Sequence, residues 1–267
     1  MPNHVSNILK VNGTPKQVEE VINILLNEEG GVTFDNFAPM PIELISSTSP
    51  TQIVSQEEYD KQKKELDEKL AKGEKVYSKS LPLTAEMQKD LIKKYEVDNW
   101  YDWAVQNWGT KWGAYDGYKI DDTTVFFQSA WSTPFNGMVT LSNKFPEVEI
   151  IVDYADEDFG YNVGQYTIKN GDVINENAPE GGSIEAIRMA LDIQGGEDYY
   201  LGEIFDDIEV EEMGDKFYSN ILLLGIENEV VDEDFPEHIN NFFLEKAIEN
   251  EQYEYASKLR DAMKIKN

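Results

Sequence analysis

The chain has 267 residues, 40% apolar and 12% aromatic, enough for a sizeable core in one large domain or two smaller ones. Its 52 acidic residues outnumber 23 Lys and Arg for a net charge of −29, which disfavours direct binding to nucleic acid. Cys is absent, which removes disulfides, thiolate metal sites and cysteine nucleophiles. Met1 to Lys10 lacks the basic and apolar regions of a signal peptide, and no apolar run nears the ~20 residues that span a bilayer. These features point to a cytoplasmic protein without a membrane partner.

Val5, Asn7, Leu9 and Val11 alternate with more polar neighbours and predict a strand. Thr14-Pro15-Lys16-Gln17 then starts a helix, with Thr14 as cap, Pro15 at the first helical position and Gln17 closing a capping box. Val18, Val21, Ile22 and Leu25 form its apolar face, and Val32 to Phe37 reads as a second strand. Residues 46–110 read as a helical insertion. It holds a charged, solvated helix that starts at Ser55, a helix from Thr84, and a short Trp-rich helix capped by Asp98. Strand alternation returns at Val125–Trp131, a helix opens at Pro134, and Val148–Tyr154 alternates again. Asn170-Gly171 marks a hairpin within residues 165–174. The resulting order, β-α-β, insertion, β-α-β, predicts an α+β ferredoxin-like split βαβ sandwich over residues 1–175.

Residues 176–234 form an acidic extension, expected to hold a helix near Ile184–Ile193 and then short strands. The surplus of acid is concentrated in residues 147–237, which hold 26 Asp and Glu against Lys169, Arg188 and Lys216. Residues 235–267 predict a helical hairpin. Phe242, Phe243, Ala247 and Ile248 repeat at helical spacing, Asn250-Glu251 turn, and Tyr253, Ala256, Leu259 and Met263 follow.

Residues 1 to about 168 resemble the YubB-type proteins of bacteriophages and plasmids, which have ferredoxin-like domains. The motifs that carry the likeness are Met1-Pro2-Asn3-His4-Val5, Phe34-Asp35-Asn36-Phe37-Ala38-Pro39-Met40-Pro41, Trp100-Tyr101-Asp102-Trp103, Asn107-Trp108-Gly109-Thr110-Lys111-Trp112, Ala130-Trp131-Ser132 and Tyr154-Ala155-Asp156-Glu157-Asp158. The resemblance implies a fold and a mobile-element origin, and no established activity. The C-terminal hairpin is similar to the UVR motif of the excision-repair proteins UvrB and UvrC. Leu244, Ala247, Ile248, Glu251, Tyr253, Glu254, Ala256, Ser257, Leu259, Arg260 and Asp261 stand at its positions. In those families the motif pairs proteins with one another and catalyses nothing.

Signals for catalysis are missing. His4 and His238 are the only histidines, which leaves no ordinary zinc set, and there is no Gly-x-Ser-x-Gly turn or phosphate loop. Asp153, Asp156 and Asp158 are the alternative as a carboxylate and metal centre of a hydrolase, but Gly160 breaks the EF-hand pattern. His4, Trp131 and Asp156 are expected to line a pocket if one exists. All five tryptophans lie between Trp100 and Trp131, and most of this cluster reads as core with one or two rings at a pocket edge.

The sequence therefore predicts a non-catalytic binding protein without cofactor or metal. The expected partner is a basic, nucleic-acid-binding host protein held by Glu203, Asp206, Asp207, Glu209, Glu211 and Glu212, as in a counter-defence inhibitor with a DNA-mimicking surface. A second contact, self-association included, is expected through Tyr253, Ala256, Leu259 and Arg260 of the hairpin. The alternatives are the carboxylate-centred hydrolase and an adaptor whose acidity serves solubility.

Overall fold

The computed structural model describes residues 3–76, 78–194, 205, 208, 212–213, 215–231 and 235–265. Its elements are β1 (His4–Asn12), α1 (Pro15–Leu25), α2 (Ile42–Ile45), β2 (Ile53–Val54), α3 (Gln56–Ala71), β3 (Leu83–Thr84), α4 (Ala85–Tyr95), α5 (Trp100–Asn107), β4 (Tyr115–Lys119), β5 (Thr124–Ala130), α6 (Phe135–Lys144), β6 (Glu149–Asp156), β7 (Val163–Lys169), β8 (Asp172–Asn177), α7 (Ile184–Gln194), α8 (Lys216–Glu227), α9 (Glu237–Glu249) and α10 (Tyr253–Ile265). The chain divides into two compact units. One runs to Val152 and takes in Tyr166–Asn175, and the other combines Asp153–Gln165 with the chain from Glu176 onward.

Six strands form one sheet in the order β4-β5-β1-β6-β7-β8. The β4-β5 hairpin and the β5-β1 pair are antiparallel. Reading β1-α1-β4-β5-α6-β6 gives the ferredoxin-like order, with β1 between β5 and β6, and β7 and β8 extend the sheet. The fold is thus α+β as expected, but its second strand is β4 and not Val32–Phe37. Val32 makes a single bridge to Leu26, and Phe34 and Phe37 are buried from a turn. Their apolar spacing reflects packing under Phe127 and Trp108, whose rings meet Phe34 edge-on at 5.7 and 5.9 Å. The insertion therefore separates α1 from β4.

Local chemistry explains the ends of the helices. At α1 the Gln17 Oε1 accepts from the Thr14 N–H at 3.0 Å and from its hydroxyl at 2.7 Å. Ser55 caps α3, accepting from the Glu58 N–H, and α3 buries none of its residues. Asn99, not Asp98, caps α5 by accepting from the Asp102 N–H. Asp98 instead accepts from the Thr51 hydroxyl and the Gln88 amide, which ties the strand-forming loop of the insertion to α4.

The second unit has its own core. Ile187 and Leu191 of α7, Phe205 and Ile208, Leu222 and Leu224 of α8, Phe243 of α9, and Tyr255 and Leu259 of α10 pack together. Phe205 meets Phe235 and Phe243 edge-on at 5.4 and 5.2 Å. Gly225 lets α8 approach them, since a Cβ there would stand 2.6 Å from the Phe205 ring. Residues 216–227 are thus helix where short strands were expected. The run Ile221-Leu222-Leu223-Leu224 is apolar nearly all round because α8 is a central helix, and Asp215 caps it by accepting from the Phe217 N–H. The C-terminal helices form the expected hairpin, built into this core.

Two predictions follow from this packing. Leu259→Ala should cost about 2–5 kcal/mol in denaturant unfolding, and truncation before Phe235 should unfold the second unit rather than leave it intact. Burial raises the Asp98 carboxyl, but the hydrogen bonds from Thr51, Gln88 and Asn99 outweigh it and hold the group below its ordinary value. Its contribution is therefore complete at neutral pH and lost as pH falls through the folded value. Asp98→Ala should lower stability at pH 7 and flatten the acid limb of a stability–pH curve.

Candidate functional site

The tryptophans divide by depth. Trp103 and Trp108 are buried with their rings edge-on at 5.3 Å, and the Trp108 indole N–H donates to the Ala38 carbonyl at 2.8 Å. Trp112 and Trp131 are 39% and 45% exposed. Both stand on loops laced together at the end of β5. The Ala130 N–H donates to the Thr110 hydroxyl at 3.1 Å, and that hydroxyl donates to the Ala130 carbonyl at 2.6 Å. The Ser132 hydroxyl donates to the Gly109 carbonyl, and the Trp131 N–H donates to the Asn3 carbonyl. Below them the Asn7 amide donates to the Ser129 hydroxyl, which donates to the Ser132 carbonyl.

Trp131 has φ +72, a left-handed conformation that costs a bulky residue roughly 1–2 kcal/mol. The surrounding hydrogen bonds hold it there. Between the two exposed indoles lies the Lys111 ammonium, 4.7 Å from each ring centroid. Tyr101 buttresses Trp131 and Tyr115 buttresses Trp112, each edge-on at 6.2 Å. His4 steadies Tyr115 in turn, its Nδ1 lying 2.8 Å from the phenol oxygen. The phenol oxygen also lies 3.0 Å from the Ser129 carbonyl, to which it can donate. His4 is thereby a positioning group for Tyr115.

Of the expected pocket, His4 and Trp131 are neighbours across the β1–β5 pair, since His4 lies opposite Ala130. Asp156 belongs to the second unit. It is 4% exposed and accepts from the Asp158 N–H at 2.9 Å and the Asn162 amide at 2.8 Å, closing a tight loop. Asp153 accepts from the Gln165 amide at 2.6 Å. Asp153, Asp156 and Asp158 therefore do not converge, and among the described residues no three His, Cys, Asp or Glu form a group able to hold a metal. Loop closure accounts for the acidic spacing that suggested a centre. His238 Nε2 lies 2.7 Å from the Ile208 carbonyl and serves packing of the second unit.

Glu203, Asp206, Asp207, Glu209 and Glu211 lie outside the described residues, and Glu212 is half-buried ahead of α8. Elsewhere in the second unit Glu157, Asp158, Glu176, Glu180, Glu185 and Asp192 are exposed. Four cations there are engaged internally: Arg188 with Glu227, Lys216 with Glu180 at 3.6 Å, Lys246 with Glu249 at 2.6 Å and Lys258 with Glu229 at 3.1 Å. On the hairpin Tyr253 is 67% exposed and Arg260 is exposed, but Ala256 and Leu259 are buried in the unit's own core. This removes Ala256 and Leu259 from the expected contact surface, because helical spacing cannot tell an internal partner from an external one. Among the described residues no helix is long and apolar enough to cross a membrane.

Sequence reasoning missed Lys111, Thr110 and Ser132. Their pairing depends on two loops meeting, and the only trace was the short Trp-bearing motifs around each. The two classes of tryptophan separate by mutation. Trp108→Ala should cost about 3–5 kcal/mol in unfolding. Trp131→Gly, which removes the ring but relieves the positive φ, should stay within about 1 kcal/mol of the parent.

Residues 107–212 match the family model described as the ferredoxin-like domain in Api92-like protein. No curated protein matches the chain. Among solved structures, the crystal structure of a protein api92 from Yersinia pseudotuberculosis aligns at 9% identity and a TM-score of 0.35, over 67% of this chain and 99% of that one. Residues 107–212 are thus similar to the ferredoxin-like domain of Api92-like proteins.

Proposed function

We propose that this is a non-catalytic accessory protein of the phage or plasmid kind, acting in the bacterial cytoplasm. It binds a basic, nucleic-acid-binding host protein through the carboxylates of its second unit. The observation that carries this reading is the internal pairing of Arg188, Lys216, Lys246 and Lys258, which leaves exposed acids such as Glu176, Glu185 and Asp192 to set the sign of the surface. Duplex DNA presents one charge per ~1.7 Å of axis, and a groove evolved for it attracts a folded carboxylate array by the same field. The residues of the expected carboxylate centre are spent on loop closure, which weighs against the hydrolase reading.

The test is affinity capture from a bacterial lysate at ~0.05 M and ~0.5 M salt, followed by a DNA-binding assay of each captured protein. Capture of a DNA-binding protein that is lost at high salt, together with release of its DNA when the chain is added, supports the reading. Captured proteins that keep their DNA in the presence of the chain would sink it.

A further inference from the structure

The pair of exposed indoles around Lys111 is a built site outside the acidic unit. Its walls are fixed before any ligand arrives. Trp131 is held upright in a left-handed backbone, both loops are laced by Thr110 and Ser132, and Tyr101 and Tyr115 brace the rings from outside. Aromatic faces gathered around one point attract cations, because the ring quadrupole is negative above its plane. The point is already filled by an ammonium, that of Lys111, 4.7 Å from both centroids.

Other lysines on aromatic faces behave differently. Lys94 stacks on Tyr95 but also pairs with Glu43 at 2.6 Å, and Lys246 stacks on Phe242 but pairs with Glu249 at 2.6 Å. Their positions are explained by a carboxylate. Lys111 makes no ion pair among the described residues, in a chain of net charge −29, and rests on the two rings alone. The cage thus selects an ammonium on its own merits, and the field of the whole chain favours cationic ligands over anionic ones.

We propose that Trp112 and Trp131 form an aromatic cage for an alkylammonium group, with Lys111 as its resident stand-in. A ligand displaces Lys111 into solvent and takes its place between the indoles. This chemistry belongs either to a small quaternary amine or to a lysine side chain of another protein. The site lies in the first unit and stands independently of the acidic-surface reading.

The test is a proton NMR titration of the full chain with tetramethylammonium chloride, or with Nα-acetyl-lysine methylamide, against sodium chloride at equal ionic strength. Ring currents shift protons held over an indole upfield. With Lys111→Ala the cage is vacated, so the probe should bind about fivefold more tightly than to the parent, the scale of one exposed cation–π contact. Adding Trp131→Gly or Trp112→Ala to that variant should abolish the shift, with circular dichroism confirming the fold. Preference for tetramethylammonium assigns the site to small quaternary amines, and preference for the lysine amide assigns it to a protein side chain. Absence of an upfield shift in a folded Lys111→Ala variant overturns the proposal. So does tighter binding by the parent than by Lys111→Ala, which would make Lys111 an anchor rather than a stand-in.

Discussion

Val5, Asn7, Leu9 and Val11 face inward only because β1 pairs with β5 in one register, His4 opposite Ala130 and Lys10 opposite Thr124. Side chains alternate with period two, so a slip of one residue would turn all four outward. Asn7 reinforces this alignment. Its buried amide donates to the Val5 carbonyl and, in this register, to the Ser129 hydroxyl, each at 2.9 Å. The same register brings the Asn3 carbonyl to the Trp131 N–H and His4 to Tyr115. The exposed aromatic face is therefore a consequence of how the central strand is aligned.

The insertion serves that face as well. α5 leads into Trp108, whose indole N–H is tied to Ala38, and Gly109 follows at φ +84. Its backbone there approaches Asn136 so closely that a Cβ would lie 3.2 Å from the Asn136 nitrogen. A glycine is needed for both reasons, the sign of φ and the lack of space. The turn then delivers Thr110 to Ala130 and Lys111 to the indoles. Backbone strain at Trp131, offset by four hydrogen bonds among the two loops, the end of β5 and Asn3, is the kind of cost that folds keep where a side chain must be held in one place.

Much of this was legible in the sequence where one physical rule dominated. The alternation in β1, the capping box at Thr14–Gln17, the Asn170-Gly171 turn and the C-terminal hairpin each rest on local chemistry, and each formed as expected. The failures share a cause. Tyr115–Lys119 is an edge strand with mostly exposed side chains and a bulge at Asp116, so it lacks the alternation that half-burial imposes. Val32, Phe34 and Phe37 mimic that alternation from a turn because the core above them is crowded with rings. At Ile221–Leu224 a continuous apolar run fits a strand or a buried helix equally, and only the surrounding phenylalanines decide it. As for the site, the aromatic motifs were visible but their depth was not. Whether Trp131 is core or surface depends on a backbone angle that no periodicity encodes.

The two units meet the same problem, an excess of negative charge, in different ways. In the first unit the cations Lys94 and Lys169 are spent on Glu43 and Glu149, which lowers both carboxyls and leaves Lys111 to the rings. Hydrogen bonds from Lys94 and from Asn12, respectively, contribute most to those shifts. In the second unit Lys216, Lys246 and Lys258 pair with Glu180, Glu249 and Glu229, and many exposed carboxylates remain. Self-repulsion of that surface opposes folding, and a core of Phe205, Phe235, Phe243, Tyr255 and their aliphatic neighbours works against it. Surface ion pairs contribute little in comparison, with medians of about 0–1 kcal/mol. Tyr255 shows how the core and the charge meet: burial, and secondarily the nearby Glu229, push its phenol upward, so it stays neutral and donates to the Val230 carbonyl at 2.8 Å. The hairpin that carries Tyr255 is thus packed into its own unit through Tyr255, Ala256 and Leu259, and that packing helps to keep an acidic surface folded.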